Sequence, residues 1–176
     1  VFPVSLKAQV TWDGSTNGNW GTNSNWDTGT KPTATDLAVF DADAASGQYT
    51  IALGGNRSVL GVQFDAASSA NGFTFNTGSN ALTVKASGIL NNDNENQTFA
   101  AEVRTSGTQT WAATSGDLTF NDIRLNSTLT LTGANDISSA GIFNNWANRK
   151  VINNLTGALS LTAVELTRST DTGGTI

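Results

Sequence analysis

The chain between residues 57 and 131 is a dense series of short segments in which apolar residues alternate with polar ones. Apolar side chains two positions apart lie on one face of a β-strand, and Gly, Asn, Asp or Ser closes each segment, as in turns. The strands expected here are residues 58–64, 73–75, 81–84, 97–99, 110–112, 117–120 and 128–131. Segments this short favour stacked coils over a few long strands. We therefore expect an all-β chain that forms a parallel β-solenoid, with an antiparallel β-sandwich as the alternative.

The composition excludes several classes of function. The chain has 176 residues, no His and no Cys, so it lacks the usual general base, the thiol nucleophile and thiolate metal sites. A net charge of -5 with only nine scattered basic residues argues against nucleic acid as a partner. No apolar run approaches the roughly 18–20 residues of a membrane span. We expect one domain over residues 9–176 and no catalytic activity.

Residues 1–8 (VFPVSLKA) are apolar and differ from the rest of the chain. Three interpretations stay open for this segment. It is a strand that covers the first coil of its own domain, a strand donated to a neighbouring subunit by β-augmentation, or the remnant of a secretion signal.

Three tryptophans lie close together near the N-terminus, each beside Asn, Asp or Gly: Trp12, Trp20 and Trp26. One interpretation is a cap, in which the rings close the end of the solenoid core. The other is a platform on which sugars stack, since aromatic rings present large flat surfaces.

The order of motifs in this region resembles the autotransporter-associated β-strand repeat proteins. The motifs are W-D-G, N-W, N-W-D-x-G-x-x-P and D-x-A-V-F, followed by the segments 49–53, 58–64 and 72–75. The resemblance implies a right-handed parallel β-solenoid in a secreted or surface-attached bacterial protein, with no known catalytic residues. The Gly-rich repeats usual in that family are missing here, and only residues 131–135 are similar to them. The chain is then either a piece of something longer or a small relative.

Two polar segments are candidate Ca²⁺ sites, because this ion takes six to eight oxygen ligands. Residues 91–96 contain Asp93 and Glu95, and Asp41 and Asp43 form a D-x-D pair. The alternative for both is an ordinary exposed turn. We expect no cofactor, with Ca²⁺ as the alternative.

A polysaccharide-cleaving enzyme is a third hypothesis, because solenoid enzymes gather carboxylates, Ca²⁺ and a basic residue on one face. The candidate bases are Arg104 and Arg124, and the candidate carboxylates are Asp41, Asp43, Asp65, Asp93, Asp117, Asp122 and Asp136. Asp117 and Asp122 are five residues apart, so a regular strand would place them on opposite faces.

The C-terminal part returns to alternation at residues 151–155 and 158–166, after a segment, 138–146, that reads as a short helix or a loop. A solenoid that leaves strand edges unpaired at its ends invites another chain, and head-to-tail contact of this kind builds an open filament. We therefore expect a secreted bacterial structural protein that self-associates into a fibre or surface layer; a surface adhesin or glycan-binding module is the runner-up. The residues expected to mediate self-association are Val1, Phe2, Val4, Leu6, Leu159, Leu161, Val164 and Leu166.

Overall fold

The computed structural model describes residues 8–41, 48–65, 71–76, 78–144 and 149–166, with the backbone alone at 143–144 and 165–166. It is all-β, 2% helical, and its parallel sheet winds into a solenoid of about 5 turns. The expected parallel solenoid is thus confirmed, and the antiparallel sandwich is not supported. The strands are β1 (Gln9–Trp12), β2 (Leu37–Phe40), β3 (Thr50–Ile51), β4 (Arg57–Phe64), β5 (Thr74–Phe75), β6 (Ala81–Asn91), β7 (Gln97–Phe99), β8 (Glu102–Thr105), β9 (Gln109–Ala113), β10 (Leu118–Leu125), β11 (Leu129–Gly133), β12 (Ile137–Asn144), β13 (Val151–Leu155), β14 (Leu159–Leu161) and β15 (Val164–Leu166).

The strands stack in three parallel rows that run along the solenoid axis. The first row contains β1, β2, the end of β4, the end of β6, β9, β11 and β13. The second row contains β3, β5, β7, the starts of β10 and β12, and β14. The third row contains the starts of β4 and β6, β8, the ends of β10 and β12, and β15. From β2 onward, each turn of the chain thus passes once through each row.

The long strands β4, β6, β10 and β12 each bend from one row into the next. In β6 the bend includes Gly88, whose φ is +69° and whose position leaves no room for a Cβ beside the carbonyl oxygen of Thr110. A glycine adopts this left-handed conformation without steric cost. The register between β4 and β6 shifts at the same corner, between Val59 and Gly61.

The inward side chains form a continuous apolar core. Neighbouring parallel strands lie about 4.8 Å apart, so residues of one type in register stack on one another. Phe75, Phe99 and Phe120 show this directly, with ring centroids 4.6 Å and 4.9 Å apart and planes within 4° and 11° of parallel. The next position in this stack is Ser139, which is buried and donates a hydrogen bond to the carbonyl oxygen of Gly141.

Two expectations for the C-terminal part are wrong. The segment 138–146 is neither helix nor loop where it is described, because β12 covers residues 137–144 and pairs with β10. The run 158–166 is two strands, β14 and β15, since the chain turns a corner at residues 162–163. The strand at 151–155 is confirmed as β13.

Candidate functional site

The N-terminal end of the core is closed by the tryptophans. Trp12, Trp20 and Trp26 are 0%, 0% and 1% exposed. Trp26 packs edge-on against both of the others, at centroid distances of 5.1 Å and 4.9 Å, and all three contact the ring of Phe40. The cap is therefore confirmed. The glycan platform at these residues is wrong, because no ring face is accessible to a sugar.

A buried asparagine holds the loop between β1 and β2, residues 13–36, in shape; we call this segment the cap loop. The side-chain oxygen of Asn25 accepts hydrogen bonds from the backbone N–H groups of Thr16 and Asn17, at 2.9 Å and 3.0 Å. Its amide group donates to Asn17 Oδ1 and to the carbonyl oxygen of Asn19, at 3.0 Å and 2.8 Å. Every polar atom of this buried side chain is thus paired, as a buried polar group requires.

The same loop covers strand edges at this end of the molecule. In the first row, Asp27 accepts a hydrogen bond from the Thr11 N–H and donates its own N–H to the Thr11 carbonyl oxygen. In the second row, Ala52 exchanges backbone hydrogen bonds with Gly18 and Trp20. Another chain therefore cannot pair directly with these edges.

Arg57, the first residue of β4, holds the turn between β3 and β4 in shape. Arg57 donates from Nε to the carbonyl oxygen of Leu53 at 2.7 Å and from Nη2 to that of Gly54 at 2.9 Å. Burial lowers the pKa of Arg57 from its ordinary value, because desolvation disfavours the charged form.

The C-terminal end differs from the N-terminal end. Val164 is in register with the buried Ile142, so it occupies a core position, yet it is 40% exposed. Four further apolar residues of this last layer pack against the core and are only partly buried: Val151, Leu155, Leu159 and Leu161. In the described chain, β13, β14 and β15 have a partner strand on one side only. Among the described residues, this end therefore presents apolar side chains together with backbone groups that no strand pairs.

The structure brings together only part of the expected self-association set. Leu159 and Leu161 lie in β14, and Val164 lies in β15 beside them on the last layer. The side chain of Leu166 and the residues Val1, Phe2, Val4 and Leu6 lie outside the described atoms.

The acidic turn at residues 91–96 has a structural role. Asp93 is 1% exposed, and its carboxylate accepts hydrogen bonds from the Glu95 N–H and from the Gln97 amide, at 3.4 Å and 3.2 Å. The interpretation of this segment as an exposed turn is thus wrong for Asp93. In the described segments, no three His, Cys, Asp or Glu side chains gather into a group able to hold a metal. Asp41 lies at the end of the first described segment, and Asp43 lies outside the described residues.

A ladder of side chains links one turn of the solenoid to the next. Asn96 Oδ1 accepts from the Asp117 N–H, Asp117 Oδ1 from the Asp136 N–H, and Asp136 Oδ1 from the Ala158 N–H, at 3.0, 3.0 and 2.7 Å. These carboxylates therefore hold the corner between the first and second rows. They do not face the arginines that lie in the third row.

The two candidate bases do come together. Arg104 and Arg124 are in register on β8 and β10, and Glu102 lies between them. One oxygen of Glu102 contacts Arg104 Nε, and the other lies 3.2 Å from Arg124 Nη2. Asp122 is on the same strand as Arg124 and accepts a 2.6 Å hydrogen bond from Asn121.

Sequence reasoning missed Glu102, because the register that places it beside Arg124 depends on the number of residues in the intervening turns. Of the remaining candidate carboxylates, Asp65 accepts a hydrogen bond from Gln63 at 2.7 Å, in the first row.

No family model, curated protein or solved structure matches this chain. The resemblance to the autotransporter-associated repeat proteins, and the right-handed sense that it implies, therefore stay predictions. The described part of the chain contains no helix with the length and apolar character of a membrane span.

Proposed function

We propose that this chain is a non-catalytic structural protein, secreted by a bacterium, whose solenoids associate end to end through the C-terminal layer. The observation that carries the proposal is the difference between the two ends. Core side chains at the capped end, such as Trp12 and Trp20, are fully buried, whereas Val164 at the other end is 40% exposed in a core position.

The C-terminal end has both features of an association surface. The edges of β13, β14 and β15 that no described strand pairs offer backbone N–H and C=O groups in the geometry of a parallel sheet. The partly exposed apolar residues supply surface area, and removing this area from water contributes about 25 cal/mol per Å² to the free energy of association. One more strand added to this end would pair the backbone groups and bury the apolar side chains at the same time.

The N-terminal segment is the part of a second copy that fits this surface. The cap occupies two of the three rows at its own end, so direct stacking of solenoids is blocked there. Residues 1–8 precede β1 and contain Phe2, Val4 and Leu6 at period two. A strand with this pattern buries these residues on the C-terminal layer of the next copy and leaves the alternate residues, among them Ser5 and Lys7, outward. Repetition of this contact produces a filament.

The test is a size measurement by light scattering, with negative-stain microscopy, on three variants. Deletion of residues 1–8 and Val164→Arg should each reduce the assemblies to monomers, with circular dichroism unchanged. Thr50→Arg is the matched control, since Thr50 is exposed in the second row near the capped end, and it should assemble normally.

Filaments from both the deletion variant and Val164→Arg would overturn the proposal. If only the deletion variant associates, and does so as dimers, the C-terminal ends pair with each other and the head-to-tail arrangement is overturned.

A further inference from the structure

The outer surface of the third row carries a straight line of polar side chains that the proposed association does not use. Ser58, Thr83, Arg104 and Arg124 occupy successive strands in register. All four are partly exposed. With neighbouring strands about 4.8 Å apart, the line extends over about 14 Å. We call these four residues the polar row.

Glu102 holds the two guanidinium groups in place. Its Oε1 contacts Arg104 Nε, and its Oε2 lies 3.3 Å from Arg124 Nε and 3.2 Å from Arg124 Nη2. One carboxylate thus aligns two cations on adjacent strands, which would otherwise repel each other. The arginine side chains remain 38% and 39% exposed.

This arrangement leaves donors unused. Three terminal guanidinium nitrogens donate no hydrogen bond to any described residue: Arg104 Nη1, Arg104 Nη2 and Arg124 Nη1. Terminal guanidinium nitrogens form paired, charge-assisted hydrogen bonds with carboxylates and other oxyanions.

From this geometry we propose that the polar row binds a short acidic oligosaccharide. A carboxylate or sulfate group of the sugar chain lies on Arg104 and Arg124, and sugar hydroxyls exchange hydrogen bonds with Thr83 and Ser58. The negative charge of the whole protein, -5, disfavours polyanions in general. Binding therefore depends on this local arrangement, with its hydroxyls, more than on attraction by the protein as a whole.

The alternative explanation is that the arginines and Glu102 only link β8 to β10. The two explanations predict different effects of Glu102→Gln on the affinity for an acidic sugar. If Glu102 only links the two strands, this change removes an ion pair and does not raise the affinity for the sugar. If the polar row is a binding site, Glu102→Gln removes the carboxylate that competes with the acidic sugar for the two arginines, so the affinity for the sugar rises.

The experiment is calorimetric titration of the intact chain with trigalacturonate, with inorganic sulfate and with an uncharged trisaccharide, in low salt. We expect trigalacturonate to bind, with affinity raised about fivefold or more by Glu102→Gln and lowered about tenfold by Arg104→Gln or Arg124→Gln. Thr83→Val should lower it about threefold. Lys31→Gln, which removes an equal charge from the cap loop, should have no effect.

Three results would overturn the proposal. The first is a Glu102→Gln variant that binds trigalacturonate no better than the wild-type chain does. The second is equal affinity in the arginine variants and in Lys31→Gln. The third is binding of sulfate or of the uncharged sugar as tight as that of trigalacturonate, since the oligosaccharide assignment requires both the charge and the hydroxyls.

Discussion

The indole nitrogen of Trp26 donates a 3.0 Å hydrogen bond to the carbonyl oxygen of Trp20, whereas the indole nitrogen of Trp20, equally buried, has no partner among the described residues. The two rings pack edge-on, 4.9 Å apart, in the same cap. They therefore share one environment but differ in hydrogen bonding. A buried polar group left unpaired costs about 1–3 kcal/mol.

This difference predicts unequal effects of one substitution at the two positions. Trp26→Phe removes a donor and leaves the Trp20 carbonyl oxygen without it, whereas Trp20→Phe removes a donor that is already unpaired. Both changes delete similar ring volume. We expect Trp26→Phe to lower the free energy of unfolding by about 1–2 kcal/mol more than Trp20→Phe does. Urea denaturation measures both, and equal losses would show that the hydrogen bond does not stabilise the cap.

The corner ladder predicts that Asp117 acts through its oxygen and not through its charge. Its Oδ1 accepts from the Asp136 N–H, and Asn96 does the same one turn earlier with an amide oxygen. Asp117→Asn should therefore leave the free energy of unfolding, measured by thermal denaturation, nearly unchanged. Asp117→Ala should lower it by about 1 kcal/mol. If the Asn variant is as unstable as the Ala variant, the ladder is not what stabilises this corner.

The bend in β6 predicts a large cost for a methyl group at Gly88. A Cβ there would overlap the carbonyl oxygen of Thr110, in addition to the strain of φ +69°. Gly107, with φ +86°, has no atom within 4 Å of the same position. Gly107→Ala should cost about 1–2 kcal/mol from backbone strain alone, whereas Gly88→Ala should cost clearly more or prevent folding. Similar midpoints in chemical denaturation would contradict the packing at this corner.

The strand positions were accessible from the sequence because the period of two survives in almost every turn. Residues 97–99 and 151–155 were expected as strands and are β7 and β13. The segment 138–146 was missed because Ser139 faces the core there. Its hydroxyl is paired with the Gly141 carbonyl oxygen, so burial costs little, but the apolar pattern is broken.

The candidate sites are harder to predict from the sequence because they depend on the register between neighbouring strands. The contact of Glu102 with Arg124 joins residues 22 positions apart, and turns of uneven length separate them. The burial of Trp12, Trp20 and Trp26 depends on a loop organised by Asn25, a single side chain with no sequence signature of its own. The period of two in the sequence predicts neither the contact of Glu102 with Arg124 nor the burial of the tryptophans.

Amide hydrogen exchange as a function of protein concentration tests the proposed association most directly. If the C-terminal layer accepts a further strand, backbone amides of β13 (Val151–Leu155) and β14 (Leu159–Leu161) should exchange more slowly as concentration rises, while those of β2 at the capped end keep constant rates. Exchange in β13 and β14 that does not depend on concentration, across a range in which scattering shows assembly, would contradict the account.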